Sequence, residues 1–279
     1  MASIHTYLIN GDFNQIISPL DRGFAYGDGV FRTMLIRNGV PESWPQHYQK
    51  LVADCAVIGI VCPSAELLMG DIQQLFPISH AAPTDTIEIA KVIISRGEGE
   101  RGYAPPSITM PTRVVIKSAA SVYATKNYST GVDLHLCETR LADQPKLAGI
   151  KHLNRLENVM ARMEWRDESL FDGVLQDQEG NVIECTMSNI FARFGRKLTT
   201  PDLSRCGVAG ITRQRIMALA HTLDLEVSVS ILSLERLLEA DEVMICNSLY
   251  GAFQVRSLNQ KVWPQLNLAE NVRAALAYA

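Results

Sequence analysis

Three stretches of this chain carry residue types that could do chemistry. In LAGIKHLNRLENVMARMEW, Leu147–Trp165, Lys151 sits on a short connection into a helical pattern, with Gly149 upstream to allow an unusual backbone angle or a close approach. An amine so placed can serve as a covalent nucleophile or a general base; by spacing alone, the commoner reading is a solvated lysine at a helix start. In VIECTMSNIF, Glu184 stands in apolar company, where a carboxylate usually takes the wet face of a strand. In GVAGITRQRIMALA, Gly207–Ala220, a glycine-flanked loop runs into an amphipathic helix. Its first amides and positive dipole end would suit a phosphate, although most such junctions are plain turns.

The elements that must position these residues are legible in outline. Leu153, Leu156, Met160 and Met163 recur at one helical face, and Asn154 with Glu157 has the form of a capping box, so a helix is predicted from about Asn154. Near the start, Thr6–Ile9 reads as a strand closed by Asn10-Gly11, and Val30–Arg37 as a strand ending at Asn38-Gly39. Gly23, Gly27 and Gly29 punctuate the loop between them. Ser43, Pro45 and Gln46 predict a helix start, with Leu51, Cys55 and Ile58 on its apolar face and Lys50 among them. A second helix is expected from Ser64, with Leu67, Leu68, Ile72 and Leu75 inward, and a strand over Thr86–Ser95.

That strand delivers the chain into RGEGERGY, Arg96–Tyr103, which lacks the following helix and the Lys-Ser/Thr of a nucleotide loop and, by its residues alone, also reads as a surface turn with charged decoration. A further strand covers Arg113–Lys117, and the small, polar stretch after it is the linker candidate. The expected division is a small N-terminal α/β domain over 1–118, a linker over 119–130 and a larger domain over 131–279. The second domain should open with a strand at Val132–Glu138. Hairpin strands Gly173–Gln176 and Val182–Phe194 should follow, around Glu179-Gly180-Asn181, then strands Leu225–Val229 and Glu242–Cys246 with the polar pair Asn247-Ser248 at the end.

Composition bounds the function. Apolar residues at 47% and charged residues at 20% of 279 describe a globular protein with a substantial core. A net charge of −4 with no basic block argues against a surface that tracks nucleic acid. No stretch approaches a membrane span, and the N-terminus has no basic start followed by a long apolar run, so a cytoplasmic protein is expected. The six cysteines form no CxxC pair and read as core thiols in a reducing compartment rather than as metal ligands or disulfides.

GIKHLNRLENV resembles the segment around the Schiff-base lysine of the fold-type IV pyridoxal-phosphate enzymes, which include branched-chain and D-amino-acid aminotransferases and aminodeoxychorismate lyases. LINGDF, DRGFAYGDGVFRT, ISRGEGERGY, ECTMSNIF, GVAGITRQ and ADEVMICNSL follow in that family's order and extend the resemblance over nearly the whole chain. The resemblance implies two α/β domains, pyridoxal 5′-phosphate on Lys151, and Glu184 bonded to the pyridine nitrogen so that the ring accepts electrons. It makes the amides of Ile211 and Thr212, with the Thr212 hydroxyl, phosphate ligands, and puts Asn247 and Ser248 near phosphate and substrate. Phe24–Asp28 would line the site's mouth, and Arg96, Arg101, Tyr103, Asn154 and Arg155 would face the substrate. Many relatives clamp the phosphate with Arg where this chain has Lys50, which keeps the charge and loses the planar fork.

Within the family, HLNR directly after the lysine and ISRGEGERGY resemble the lyases. Leu156 stands where branched-chain aminotransferases have a tyrosine. The implied reaction takes aminodeoxychorismate to 4-aminobenzoate and pyruvate, in folate biosynthesis, in a homodimer. An aminotransferase of D-amino-acid or branched-chain type is the first alternative. A cofactor-binding protein without turnover, hinted at by Lys50, is the second.

Overall fold

The computed structural model describes residues 6–78, 86–264 and 267–277. The chain separates into two compact units, Met1–Ser121 with Ile150–Asn154, and Val122–Gly149 with Arg155–Ala279. The strip that carries Lys151 therefore belongs to the first unit, whereas the sequence on both sides of it belongs to the second.

The first unit runs β1 (Tyr7–Ile9), α1 (Arg22–Tyr26), β2 (Gly29–Arg37), β3 (Val40–Pro41), α2 (Trp44–Val57), α3 (Ala65–Leu75), β4 (Ile87–Ser95) and β5 (Thr112–Ala119). Its sheet has the order β1-β5-β4-β2-β3, every pairing antiparallel. Asn10-Gly11 and Asn38-Gly39 take positive φ at both residues, 51° and 84° in the first and 51° and 85° in the second, as tight hairpin turns demand. Alternate β2 residues face inward, where Val30, Met34 and Ile36 meet Leu51, Cys55, Leu68 and Ile72 of the two longer helices. Arg32 shares that inward register and is 3% exposed.

Two predicted details are corrected here. Ser43 makes no side-chain cap, because it lies in the left-handed region at φ 53°, whereas an N-cap bond needs extended backbone. Leu67 is exposed: Ser64 does cap α3 through Leu67 N, which leaves Leu68, Ile72 and Leu75 as the buried face. Ile150–Asn154 lies antiparallel beside the start of β2, with Phe31 N donating to Lys151 O and Leu153 N to Gly29 O, each at 2.9 Å.

The second unit contains α4 (Thr125–Ser129), β6 (Val132–Arg140), α5 (Leu156–Arg162), β7 (Leu170–Gln176), β8 (Val182–Cys185), β9 (Asn189–Phe194) and β10 (Lys197–Pro201). It continues through α6 (Ile211–Leu219), β11 (Glu226–Ser230), α7 (Leu234–Leu238), β12 (Glu242–Asn247), β13 (Gly251–Leu258), β14 (Lys261–Val262) and α8 (Leu268–Ala277). The sheet order is β11-β10-β9-β12-β13-β6-β7-β8, with β14 on β13. Pairings β10/β11, β13/β6 and β6/β7 are parallel and the others antiparallel. α6 and α8 bury Ile216, Leu268 and Val272 against Phe191 and Met244.

The expected strand Val182–Phe194 is interrupted at Thr186-Met187-Ser188. Buried Asp172 accepts from the hydroxyls of Thr186 and Ser188 at 2.6 and 2.7 Å and from Gly173 N at 2.8 Å, and Tyr250 donates to Ser188 Oγ at 2.6 Å. This network ties off the turn and fixes the direction in which β8 presents Glu184. The capping box also fails. Asn154 Nδ2 donates to Gly27 O at 3.1 Å and Glu157 accepts from Ala142 N at 2.9 Å, so α5 starts at Arg155 without a side-chain cap. The predicted stripe Leu156, Met160 and Met163 stays exposed.

Candidate active site

In the first unit the site is built from charges held by one carboxylate. Asp54, 0% exposed, is contacted by Arg32 Nη2 from β2, by Lys50 Nζ one helical turn earlier on α2, and by the main-chain N of Lys151 at 3.2 Å. Burial pushes Arg32 down to about 10. Burial, reinforced by the Arg32 charge, pushes Lys50 down to about 7, and the Asp54 carboxylate that it touches acts in the opposite direction. Lys151 Nζ lies 4.8 Å from the centroid of the Phe31 ring, and Lys91 Nζ from β4 lies 4.7 Å from the same centroid. Two lysine side chains thus lie against one aromatic ring.

In the second unit the site is built from backbone. Glu184, 4% exposed on β8, accepts from Val208 N at 2.8 Å. Gly207 has φ +84°, and a Cβ there would meet Ile183 Cγ2 at 2.7 Å and Leu203 Cδ2 at 2.9 Å, so only glycine brings the loop this close to the carboxylate. Asn189 clasps the same loop from β9, donating to Val208 O at 2.7 Å and accepting from Gly210 N at 3.1 Å. Gly210 supplies no side-chain cap, which leaves the first turn of α6, with Ile211 and Thr212, as an anion-type N-terminus. Thr212 Oγ1 is 3.3 Å from Ser248 Oγ, and Asn247 Oδ1 fixes the turn by accepting from Leu249 N and Tyr250 N. Arg155 is brought down by burial, while the charges of Glu184 and Glu157 oppose the shift.

The glycine-rich loops of the first unit differ from expectation. Phe24–Asp28 is not simple loop, since Asp21 caps the one-turn helix α1 through Gly23 N and Phe24 N. Arg96, expected to meet a substrate carboxylate, is turned inward and 8% exposed, with its guanidinium on both oxygens of Asp28 and on the carbonyls of Ile58 and Gly59. Burial opposes ionisation of Asp28, but Arg96 and Arg22 hold its carboxyl below the usual range. Arg22 also donates to the carbonyls of Gly102 and Tyr103, each at 3.0 Å, so the Arg22–Asp28–Arg96 set braces the loop. Arg101 and Tyr103 remain exposed.

Arg32, Asp54, Lys91 and Asn189 are residues of the candidate site that sequence reasoning missed. An Arg at an inward register of an otherwise apolar strand, and an Asp four residues after Lys50, were the available signals.

Residues 29–258 match the amino-transferase class IV family. The chain belongs to that family. This class IV chain is 35% identical over 254 residues to an aminodeoxychorismate lyase of Vibrio harveyi, covering 91% of each. It is 25% identical to a D-alanine aminotransferase of Bacillus licheniformis, covering 86% of this chain and 82% of that one. Among solved structures it is similar to a 4-amino-4-deoxychorismate lyase from Pseudomonas aeruginosa, with TM-score 0.90, 38% identity and 98% of each chain covered.

Proposed function

We propose that this class IV enzyme is an aminodeoxychorismate lyase, releasing 4-aminobenzoate and pyruvate. The observation that carries this reading is the near full-length likeness to both a curated and a solved lyase. The residues present fit pyridoxal phosphate: an amine beside an aromatic ring, a buried carboxylate and an uncapped helix N-terminus. Lys151 would hold the cofactor, Glu184 its ring nitrogen, and Lys50 with Ile211, Thr212 and Ser248 its phosphate. When bound, this cofactor draws electrons from the carbon that carries the substrate nitrogen.

The chain's own part is proton transfer and charge placement. The Lys151 amine removes the proton from the ring carbon that bears the amino group. The enolpyruvyl C–O bond breaks, the released enolpyruvate takes up a proton to become pyruvate, and the six-membered ring becomes aromatic. Glu184, kept in place by Val208 N, stabilises positive charge on its partner. Because Arg96 braces Asp28, substrate-carboxylate binding passes to exposed Arg101 and to Tyr103, Asn154 and Arg155 among the expected residues, with Lys91 added.

The enzyme acts in folate biosynthesis as a homodimer in the cytoplasm. The exposed apolar side of α5, with Leu156, Met160 and Met163, offers a surface for self-association, and six free cysteines suit a reducing compartment. Among the described residues no helix is long and apolar enough to cross a membrane. The test is fluorescence-detected release of 4-aminobenzoate, with Lys151→Ala alongside. Amino transfer from D-alanine or a branched-chain amino acid to 2-oxoglutarate, without that product, would replace the lyase reading with the transaminase one.

A further inference from the structure

The two oxygens of Asp54 divide three contacts, Oδ1 meeting Lys50 Nζ and Oδ2 meeting Arg32 Nη2 and the Lys151 amide. Taking charges out of water is expensive, and replacing a buried ion pair by apolar residues of similar volume is often neutral or stabilising. Nor is the pair fully satisfied, since Arg32 Nε is buried with no partner among the described residues. Stability alone does not account for the cluster. What its geometry achieves is to join the main chain of residue 151 and the ammonium of residue 50 through one rigid group. A lysine carries its charge on a flexible stem, whereas an arginine presents a preorganised fork. A fixed anion one helical turn along α2 removes most of that freedom.

We propose that Asp54, paired with Arg32, is a positioning residue that fixes the Lys50 ammonium for the cofactor phosphate and anchors the main chain of Lys151, allowing lysine to serve at position 50. This rests on the reading of Lys151 and Lys50 as cofactor residues. Asp54 acts through these two lysines and touches no reacting atom.

The test compares affinities for pyridoxal phosphate and for pyridoxal, which lacks the phosphate, read from the visible band of the lysine-bound cofactor. The variant is Arg32→Leu/Asp54→Leu, which removes both charges, leaves the net charge unchanged and keeps the interior apolar. Should that pair fail to fold, Arg32→Gln/Asp54→Asn removes the charges at nearly constant shape. The expected result is unchanged or raised thermal stability, with the preference for pyridoxal phosphate over pyridoxal reduced about tenfold. Adding Lys50→Arg restores it, because a guanidinium needs no anchor. An undiminished preference in the folded variant or no rescue of it by Lys50→Arg overturns the phosphate role, and an affinity for pyridoxal equal to the wild type's overturns the anchoring of Lys151. If the wild type forms no band that Lys151→Ala removes, the cofactor reading itself fails; if it does, any of those outcomes sinks the positioning role alone.

Discussion

The candidate residues of the two units are held in place by opposite means. The first relies on side-chain charges: Lys50, Arg32 and the Lys151 main chain converge on Asp54, and two ammonium groups flank Phe31. The second relies on backbone, with Glu184 pinned by Val208 N and a glycine-bounded loop leading into the first turn of α6. Side-chain charges can be retuned one residue at a time and respond to pH. A backbone site changes only when its fold does. Substitutions in the first unit should therefore change affinity and protonation with the fold intact, and loop substitutions in the second should change stability and binding together.

The largest effects test the chemistry on each side. Lys151→Ala should remove the visible band and lower 4-aminobenzoate release by about 10³-fold or more, because the group proposed to move the proton is gone. Retained turnover in that variant would end the assignment of Lys151. Glu184→Gln keeps the shape and the contact with Val208 N but loses the charge, so kcat should drop by about 10²-fold with an unchanged melting temperature. A melting temperature that falls as far as kcat would mean that Glu184 is structural.

Gly207→Ala probes the backbone design. A φ of +84° and a Cβ at 2.7 Å from Ile183 Cγ2 should destabilise the protein by about 2 kcal/mol, read by denaturant unfolding, and weaken the binding of phosphate-bearing and phosphate-free cofactor alike. Wild-type stability there would show that the loop can move away, and the contrast between the units would lose its physical basis.

The same contrast explains what could be read from sequence. Glycine punctuation, hairpin turns and long apolar periodicities depend on neighbours in the chain, so Asn10-Gly11, Asn38-Gly39, α3 and the α6 junction were legible. Lys151 and Glu184 stand out as site candidates only by resemblance to a family. Local spacing favoured a surface lysine and a wet-face carboxylate, while the fold buries Glu184 to 4% exposure. The capping box at Asn154 failed because Gly27, 127 positions away, takes the asparagine amide. The inward turn of Arg96 was hidden for a similar reason: its partner Asp28 is 68 positions distant, and sequence proximity to a glycine-rich loop says nothing of which way a guanidinium turns. The Arg32–Asp54 pair combines both difficulties, since half of it is a visible i,i+4 relation with Lys50 and the other half is a cross-element contact.

The smallest predicted effect is also the sharpest test of side-chain tuning. Burial, with Arg32 from β2 adding repulsion, pushes Lys50 down to about 7, and the Asp54 carboxylate it touches on the same helix acts against that shift. Only the protonated form offers a charge to phosphate. Below pH 7 that charge is already in place, and Lys50 contributes no pH dependence to cofactor affinity. Above it, the cofactor-free protein must first take up a proton, so affinity should fall as pH rises, approaching about tenfold per unit. Lys50→Arg keeps its charge throughout, so its affinity should exceed the wild type's by a few-fold near pH 7 and by more at pH 8. Taking the ratio of the two proteins at each pH cancels the titrations they share, those of the phosphate and of Lys151. A ratio that stays flat from pH 6 to 9 would show that Asp54 holds the Lys50 proton throughout. An affinity for Lys50→Arg no better than wild type at any pH would remove residue 50 from the phosphate site.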